Sequence, residues 1–287
     1  MILREALEAA AGQFEAAGCD TPMLDAEVLL SFVLRRDRAG LVARRGDRLG
    51  LADAEAFAAL CQRRLDREPV SHLIGVREFY GRPFVVNSGV LAPRPETELL
   101  VETALEVIDA GALRVVDVGT GSGAVALTLA LERSGLPGLQ LAAFDLSREA
   151  LRVAASNAEA LLPAAARLPL VQGDLLEACG MGGWDLVVSN PPYIRESSLA
   201  DSMPELAFEP KMALVGGDCD GLGVVRRLVK SAWAQLSPGG SIVFEIGADQ
   251  GAAAAAAVRE AGFRQIVVLR DLAGQDRVVR AEKIDQG

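Results

Sequence analysis

This sequence is poor in the side chains on which metal sites and disulfides depend. Its 287 residues include a single histidine, His72, and four widely spaced cysteines, Cys19, Cys61, Cys179 and Cys219, with no Cys-x-x-Cys pair. We therefore expect neither a zinc site nor a disulfide framework, and the thiols should be reduced, as in a cytoplasmic protein. A cationic excess is missing too, because 29 Lys and Arg stand against 39 Asp and Glu. The resulting net charge of −10 disfavours binding along a DNA backbone.

Long apolar runs are also absent. The first residues include Arg4, Glu5 and Glu8, which interrupt the apolar stretch that a signal peptide needs. Apolar runs such as Ala252–Val258 are far shorter than a membrane span. These features predict a cytoplasmic protein without a membrane segment. The chain does have 51% hydrophobic residues, which is enough for a sizeable globular core.

The first part of the chain has the apolar spacing of helices. Apolar residues recur every three to four positions from Ile2 to about Asp66, and this period predicts a helical N-terminal domain over residues 1–70. Two short β-rich runs about a glycine turn follow in Phe79–Val86. They predict a β-hairpin connector over residues 71–92.

The remainder, residues 93–287, alternates short apolar runs with helical stretches. The runs are Leu113–Val118, Leu139–Phe144, Leu168–Val171, Trp184–Val188, Ser241–Ile246, Arg264–Leu269 and Val278–Ala281. Because they are apolar on both faces, they predict an α/β domain with a doubly wound, mostly parallel sheet covered by helices on both sides. The last two runs are joined by too few residues for a crossover helix, so that pair should be antiparallel.

A glycine-rich turn follows the first of these runs, in Asp117-Val118-Gly119-Thr120-Gly121-Ser122-Gly123. Glycines let a backbone pass close to a ligand and the next helix begins with unpaired N–H groups, so the motif indicates a nucleotide site. Its spacing also satisfies the dinucleotide pattern, and Asp145, after the next strand, suits the ribose of either cofactor. The Asp117 carboxylate favours S-adenosylmethionine (SAM), which carries an ammonium and a sulfonium, over the pyrophosphate of NAD.

A second motif, Asn190-Pro191-Pro192-Tyr193, comes directly after the run that begins at Trp184. In a doubly wound sheet the first and fourth strands are neighbours, so Gly119 and Asn190 are expected to face each other across one crevice. The Asn190 oxygen and a proline carbonyl can accept hydrogen bonds from a substrate NH2 group, and Tyr193 can stack on a planar group. Two acceptors steer the nitrogen lone pair toward a methyl donor, so positioning is expected to carry most of the catalysis.

From about Pro69 to Val279 the chain resembles the bacterial glutamine-N5 methyltransferases that modify peptide-chain release factors. The matching stretches are Glu78-Phe79-Tyr80-Gly81, Pro93-Arg94-Pro95-Glu96-Thr97-Glu98, Asp117 to Gly123, Asn190 to Tyr193, Phe208-Glu209-Pro210, Glu245-Ile246-Gly247 and Asp271-Leu272-Ala273-Gly274. The resemblance implies a seven-stranded, Rossmann-like, SAM-dependent methyltransferase domain over residues 93–287. It further implies methylation of the glutamine in the Gly-Gly-Gln loop of class I release factors, with S-adenosylhomocysteine as the product.

The resemblance also implies roles for individual residues. It places SAM at the glycine turn, its ribose at Asp145, its adenine near Asp174 and Leu175, and the substrate glutamine at the second motif. The cofactor-binding residues are then Asp117, Gly119, Thr120, Gly121, Ser122, Gly123, Asp145, Asp174, Leu175 and Asn190, and the catalytic ones Asn190, Pro191, Pro192 and Tyr193. No metal is expected, and the helical domain should recognise the protein substrate. Glu245 either lines the amide pocket or caps a backbone turn.

Three alternatives stay open at this point. The tetrapeptide at Asn190 is shared with adenine-N6 methyltransferases, so a nucleic-acid substrate is one of them, although the acidic charge disfavours it. A related branch methylates a glutamine of a ribosomal protein, whereas the stretch from Arg94 to Glu98 is more similar to the release-factor branch. The third is a module that senses SAM without catalysis, suggested by the protein-binding character of residues 1–70.

Overall fold

The chain divides into two compact units. One consists of Met1–Val76 and Met203–Phe208, and the other of Arg77–Ser202 and Glu209–Gly287. The computed structural model describes residues 1–163, 166–177, 179–180, 182–199 and 203–284. None of the helices in these ranges is both long and apolar enough to span a membrane.

The first unit is built from helices. They are α1 (Leu3–Ala16), α2 (Pro22–Leu34), α3 (Arg38–Ala43), α4 (Leu51–Leu65) and α5 (Val70–Ile74), with a 3-10 helix at Pro204–Phe208. Helix α2 begins at a proline, which suits the first helical position because the N–H there has no partner within the helix. The apolar faces share one core around Phe14, Leu29 and Leu30, which are fully buried.

The second unit combines a hairpin, a sheet and further helices. The hairpin strands are β1 (Val76–Phe79), which starts at the boundary between the units, and β2 (Arg82–Val85). The sheet strands are β3 (Arg114–Val118), β4 (Gln140–Asp145), β5 (Leu170–Gln172), β6 (Trp184–Ser189), β7 (Leu236–Glu245), β8 (Arg264–Arg270) and β9 (Asp276–Glu282). The helices are α6 (Thr97–Asp109), α7 (Ala124–Glu132), α8 (Arg148–Leu161), α9 (Lys211–Leu214), α10 (Gly223–Gln235) and α11 (Gly251–Glu260), with a 3-10 helix at Glu196–Ser198.

In the described part of the chain, seven strands form one sheet in the order β5-β4-β3-β6-β7-β9-β8. Neighbouring strands from β5 to β7 are parallel, and β9 is antiparallel to both β7 and β8. The prediction of a doubly wound α/β fold whose last two strands are antiparallel is therefore confirmed.

Successive strand residues point to opposite faces of this sheet, and each face has its own core. Val116 and Val187 belong to a core that includes apolar residues of α10 and α11. Their chain neighbours Val115 and Leu186 belong to a second core with residues of α6 and α7. Because both faces are buried, the strands read as continuous apolar runs, and their polar residues are concentrated where the strands end.

Candidate active site

The two motifs lie at adjacent strand ends. Strand β3 pairs with β6 so that Val118 is the register partner of Ser189, and the next residues are Gly119 and Asn190. The Ser189 hydroxyl donates a hydrogen bond of 2.6 Å to the Val118 carbonyl. This bond ties the two strand ends together, so both motifs leave the sheet at neighbouring positions on its carboxyl edge, where doubly wound folds bind ligands.

A single cavity in the second unit brings most of the sequence-predicted residues together. Its lining includes Asp117, Gly119, Thr120, Gly121, Ser122, Asp145, Asp174, Leu175, Asn190 and Pro192. Of the predicted set, Gly123, Pro191 and Tyr193 do not appear among the described residues that line it. The glycine turn, the end of β4 and the second motif thus share one chamber.

The glycine turn keeps its backbone open toward the cavity. Gly119, Gly121 and Gly123 all have positive φ, at 74°, 57° and 82°. A Cβ at Gly119 or Gly121 would meet no atom within 4 Å, whereas one at Gly123 would lie 3.0 Å from Leu127 and 3.3 Å from Ala154. The first two glycines are therefore required by their backbone conformation, and Gly123 is required in addition by close packing on α7 and α8.

Asp117 is a buried carboxylate beside this turn. It is 1% exposed and accepts hydrogen bonds from the Thr120 hydroxyl at 2.6 Å and from the Ala126 N–H at 3.3 Å. Burial raises the pKa of Asp117 to about 7, although these two hydrogen bonds oppose the rise. No cation in the described part of the chain forms an ion pair with Asp117. A buried carboxylate of this kind suits a ligand with positive charge, because such a ligand stabilises the ionised form.

Three further predicted cofactor residues lie around the same chamber. Asp145 accepts backbone N–H groups from Gly121 at 2.9 Å and Ser147 at 2.8 Å, so its carboxylate organises the turn as well as lining the cavity. Desolvation raises the pKa of Asp145, and these backbone bonds lower it. Asp174 accepts a hydrogen bond of 2.7 Å from Arg227, and Leu175 has a positive φ of 52°. Carboxylate oxygens keep further lone pairs, which can accept ligand hydroxyls.

The second motif is anchored from behind. Asn190 donates from Nδ2 to the Thr97 hydroxyl at 3.1 Å, and Tyr193 donates its hydroxyl to Glu245 at 3.1 Å. Burial raises the pKa of the Tyr193 phenol, and the negative charge of Glu245 adds to this effect. The Tyr193 hydroxyl is therefore committed to Glu245 in this structure. Gln250 also holds the motif, since its Nε2 donates to the Tyr193 carbonyl at 2.9 Å.

Sequence reasoning missed several side chains that build this site. Thr97 lines the cavity and contacts Asn190, while Arg227 lines it and pairs with Asp174. Glu209 has a fully buried side chain that accepts hydrogen bonds from Arg94 at 2.6 Å and from the Ala92 N–H at 3.2 Å. Thr97, Arg94 and Glu209 all fall in stretches that the resemblance singled out, but the sequence has no pattern that shows what each one contacts.

The arrangement fits SAM by the chemistry of its donor set. Asp117 offers a buried carboxyl group near the glycine turn, and Asp145 offers carboxylate oxygens at the end of the next strand, where a ribose binds in this class of fold. The open backbone at Gly119 and Gly121 allows close approach of a ligand. Asn190, which lines the same cavity, carries an amide that can form hydrogen bonds with a polar substrate group.

Comparison with known proteins gives matches for both units. Two family models match, the PrmC N-terminal domain over residues 5–75 and the methyltransferase small domain over residues 94–209. Two curated relatives are named release factor glutamine methyltransferase. The protein of Bordetella pertussis is 44% identical over 259 residues, which is 90% of this chain and 93% of the relative. That of Cereibacter sphaeroides is 43% identical over 282 residues, which is 98% of each chain.

A solved structure supports the fold assignment independently. The 16S rRNA N2 G1207 methyltransferase of T. thermophilus, solved in complex with AdoMet and guanosine, matches with a TM-score of 0.52 and 22% identity. The match covers 72% of this chain and 49% of that one. At this level of identity the likeness concerns the methyltransferase fold alone.

Proposed function

We propose the activity of this chain from its family, because the chain belongs to the family of release factor glutamine methyltransferases. It transfers the methyl group of SAM to the side-chain amide nitrogen, N5, of the glutamine in the Gly-Gly-Gln loop of class I peptide-chain release factors. The reaction takes place in the cytoplasm and leaves S-adenosylhomocysteine. The observation that carries this proposal is the placement of the glycine turn and Asn190 in one cavity, at adjacent strand ends.

The glycine turn and the carboxylates around it would hold the cofactor. When bound, SAM supplies an electrophilic methyl group on a positively charged sulfur. Asp117 and Asp145 contribute negative charge and hydrogen-bond acceptors, and Gly119 and Gly121 let the backbone approach. Asp174 and Leu175 also line the cavity, and we place the adenine beside them. The remaining turn residues, Thr120, Ser122 and Gly123, set the shape of the loop.

Asn190 and the proline pair would hold the substrate amide. A glutamine amide is a poor nucleophile, because its nitrogen lone pair is delocalised into the carbonyl. If the Asn190 oxygen and a carbonyl of Pro191 or Pro192 accept both N–H bonds, the lone pair is turned toward the methyl group. Alignment of two bound reactants can supply about 7–11 kcal/mol of the barrier, so no base needs to act before the attack. The surplus proton on nitrogen is lost to solvent after the transfer.

The N-terminal helical unit, which we place at residues 1–70, would recognise the release factor, and residues 71–92 would connect it to the catalytic domain, residues 93–287. Support comes from the separate core of the first unit and from its match to a domain found in this family. A groove on its surface is lined by Val28, Phe32, Arg35 and Arg36, with Phe32 49% exposed. An exposed aromatic beside two arginines suits a protein surface that carries acidic groups.

A labelled-methyl assay tests the proposal. Purified release factor, a ribosomal protein fraction, and DNA and RNA oligonucleotides are each incubated with the enzyme and methyl-labelled SAM. We expect label on the release-factor glutamine with the wild type and a loss of at least about a hundredfold with Asn190→Ala, because that variant lacks the amide acceptor. Label on adenine or on the ribosomal protein alone, or undiminished label with Asn190→Ala, would reject the proposal.

A further inference from the structure

We infer that Thr97 and Glu245 are positioning residues that fix which end of the Asn190 carboxamide faces the substrate. The inference rests on the proposed function, since it concerns how the same site selects an N–H donor. An asparagine amide has a carbonyl end and an NH2 end of nearly equal shape, and only the carbonyl end can accept a hydrogen bond. The site therefore needs a device that prevents the amide from turning over.

The device starts at Glu245, the last residue of β7. Its side chain is almost completely buried, with 1% of the residue exposed, and each carboxylate oxygen accepts one hydrogen bond. Oε2 accepts from the Thr97 hydroxyl at 2.7 Å, and Oε1 accepts from the Tyr193 hydroxyl at 3.1 Å. Burial raises the pKa of Glu245, whereas these two hydrogen bonds and the charge of Arg277 on β9 favour its ionised form.

Thr97, the first residue of α6, links Glu245 to Asn190 through two hydrogen bonds. The Thr97 hydroxyl has a single proton and donates it to Glu245 Oε2, so it has none to give to Asn190. Toward Asn190 the Thr97 oxygen then has only lone pairs, and the group that faces it at 3.1 Å is Nδ2, a donor. The Glu245 carboxylate thus determines the direction of both hydrogen bonds, the one from Thr97 to Glu245 and the one from Asn190 to Thr97.

The consequence falls on the other end of the Asn190 amide. Since Nδ2 is committed to Thr97, Oδ1 is the end left to accept an N–H from an acceptor amide. A flipped amide would bring two oxygens without a proton into contact at Thr97, and it would turn an NH2 group toward the substrate NH2. Both contacts are repulsive, so the Thr97 and Glu245 relay selects the orientation that catalysis needs.

The same carboxylate also holds the far end of the tetrapeptide. Tyr193 is bound to Glu245 directly and Asn190 is bound to it through Thr97. The buried Glu245 carboxylate at the end of β7 therefore holds both outer residues of the motif in place. This arrangement explains how a buried glutamate that is not among the described residues lining the cavity contributes to the site.

The test replaces the Thr97 hydroxyl while keeping the shape of the side chain. In Thr97→Val we expect kcat for release-factor methylation to fall by about tenfold to a hundredfold, with the SAM dissociation constant changed by less than about threefold. Thr97→Ser keeps the hydroxyl and should stay within about threefold of the wild type. The matched control is Thr103→Val on the same helix. The buried Thr103 hydroxyl donates to the Leu99 carbonyl within that helix, so this change should leave kcat unchanged.

A double-mutant comparison separates positioning from general damage. If Thr97 acts through Asn190, its removal should cost little further activity once Asn190→Ala is present, whereas independent effects multiply. Equal kcat in Thr97→Val and wild type, equal losses in the Val and Ser variants, or losses that multiply would each overturn the inference. Should Thr97→Val fail to bind SAM as a folded protein does, Thr97→Ala takes its place with the same expectations.

A readout without substrate keeps this test apart from the proposed function. In 15N-labelled protein the Asn190 side-chain NH2 signals, identified by their loss in Asn190→Ala, report solvent exchange of the amide protons. We expect exchange to be at least about tenfold faster in Thr97→Val than in wild type and Thr97→Ser, because the Nδ2 hydrogen bond is lost. Equal exchange in all three overturns the inference, even if glutamine is methylated. Absence of glutamine label with the wild type, together with the expected exchange pattern, rejects the proposed substrate alone.

Discussion

The Ser189 hydroxyl donates to the Val118 carbonyl at 2.6 Å, and this bond joins the ends of β6 and β3 immediately before the two functional motifs. Ser189 is 1% exposed, so no water replaces the bond if it is removed. Because Gly119 and Asn190 are the next residues, the spacing between cofactor and substrate sites depends on this contact. Positioning of reactants is sensitive to shifts of about 1 Å.

Ser189→Ala should therefore lower kcat, and it should lower the free energy of unfolding only modestly. We expect a loss of about 1 kcal/mol in the free energy of unfolding and a fall of roughly tenfold in kcat. The control is Thr128→Val on α7, because the buried Thr128 hydroxyl has no hydrogen-bond partner among the described residues and its loss should cost neither. Urea unfolding and initial rates measure both quantities. A Ser189→Ala enzyme with wild-type kcat would contradict this role.

Asp117 predicts a pH dependence of cofactor binding. Burial raises its pKa from 3.8 to about 7, and a cationic ligand lowers it again. SAM affinity, measured by calorimetry, should therefore increase as the pH rises through about 7 in the wild type, because the ionised form binds the cation. In Asp117→Asn the SAM affinity should be weaker, and it should change much less as the pH rises through about 7. A wild-type affinity that does not vary with pH would exclude this assignment.

The same shift has an opposite sign for the stability of the cofactor-free protein. A carboxyl whose folded pKa is raised binds its proton more tightly in the folded state, so its contribution falls as the pH rises from 3.8 to about 7. Relative to Asp117→Asn, the wild type should lose up to about 1.4 kcal/mol of unfolding free energy per pH unit in that window. Denaturant unfolding at a series of pH values measures the difference. If the unfolding free energies of wild type and Asp117→Asn varied with pH in parallel, the pKa of Asp117 would not be raised by burial.

Two glycines with equal backbone requirements distinguish a ligand effect from a folding effect. Gly119 and Gly239 have φ of 74° and 78°, and a Cβ at either would meet no atom within 4 Å. Alanine at either position should cost about 1–2 kcal/mol of stability, because L residues disfavour this conformation. Only Gly119→Ala should also weaken SAM binding, since Gly119 lines the cavity. Equal SAM affinities for the two variants would remove the glycine turn from the cofactor site.

A buried ion cluster should dominate the stability of the first unit. Arg64, whose side chain is 6% exposed, donates to Asp25 at 2.8 Å and to Glu205 at 2.9 Å. Arg64→Met leaves two carboxylates without this partner and should cost about 3–5 kcal/mol, although Arg67 still pairs with Glu205. The loss in unfolding free energy is measured by urea unfolding followed by far-ultraviolet circular dichroism. Arg4→Met, which breaks only an exposed pair with Glu8, should change stability by less than about 0.5 kcal/mol.

The groove of the first unit predicts that KM for a whole release factor and KM for a short peptide respond differently to the same substitution. Arg35 and Arg36 are exposed and belong to no ion pair among the described residues. If they contact the release factor, the double change Arg35→Glu and Arg36→Glu should raise KM for the whole factor by about tenfold, since like charges then face each other. KM for a short Gly-Gly-Gln peptide should stay unchanged. Equal effects on both substrates would mean that the groove does not recognise the factor.

The sequence by itself determined the class of the fold and the placement of its two motifs. Runs apolar on both faces specify buried parallel strands, and glycine and proline have local conformational effects that are legible one residue at a time. The last strand pair was also readable, because the eight residues from Arg270 to Arg277 cannot form a crossover helix. The expectation that Gly119 and Asn190 face each other across one crevice followed from strand order alone.

The tertiary structure alone decided which side chains support that cavity. Thr97, Glu209 and Gln250 come from separate segments, and their contacts join residues far apart in the chain, as Thr97 joins Asn190 and Glu245. The sequence left Glu245 open between a pocket residue and a turn cap, because a strand-end carboxylate has the same sequence pattern in both cases. Hydrogen-bond direction depends on which donors the fold brings within about 3 Å, and no local periodicity encodes that distance.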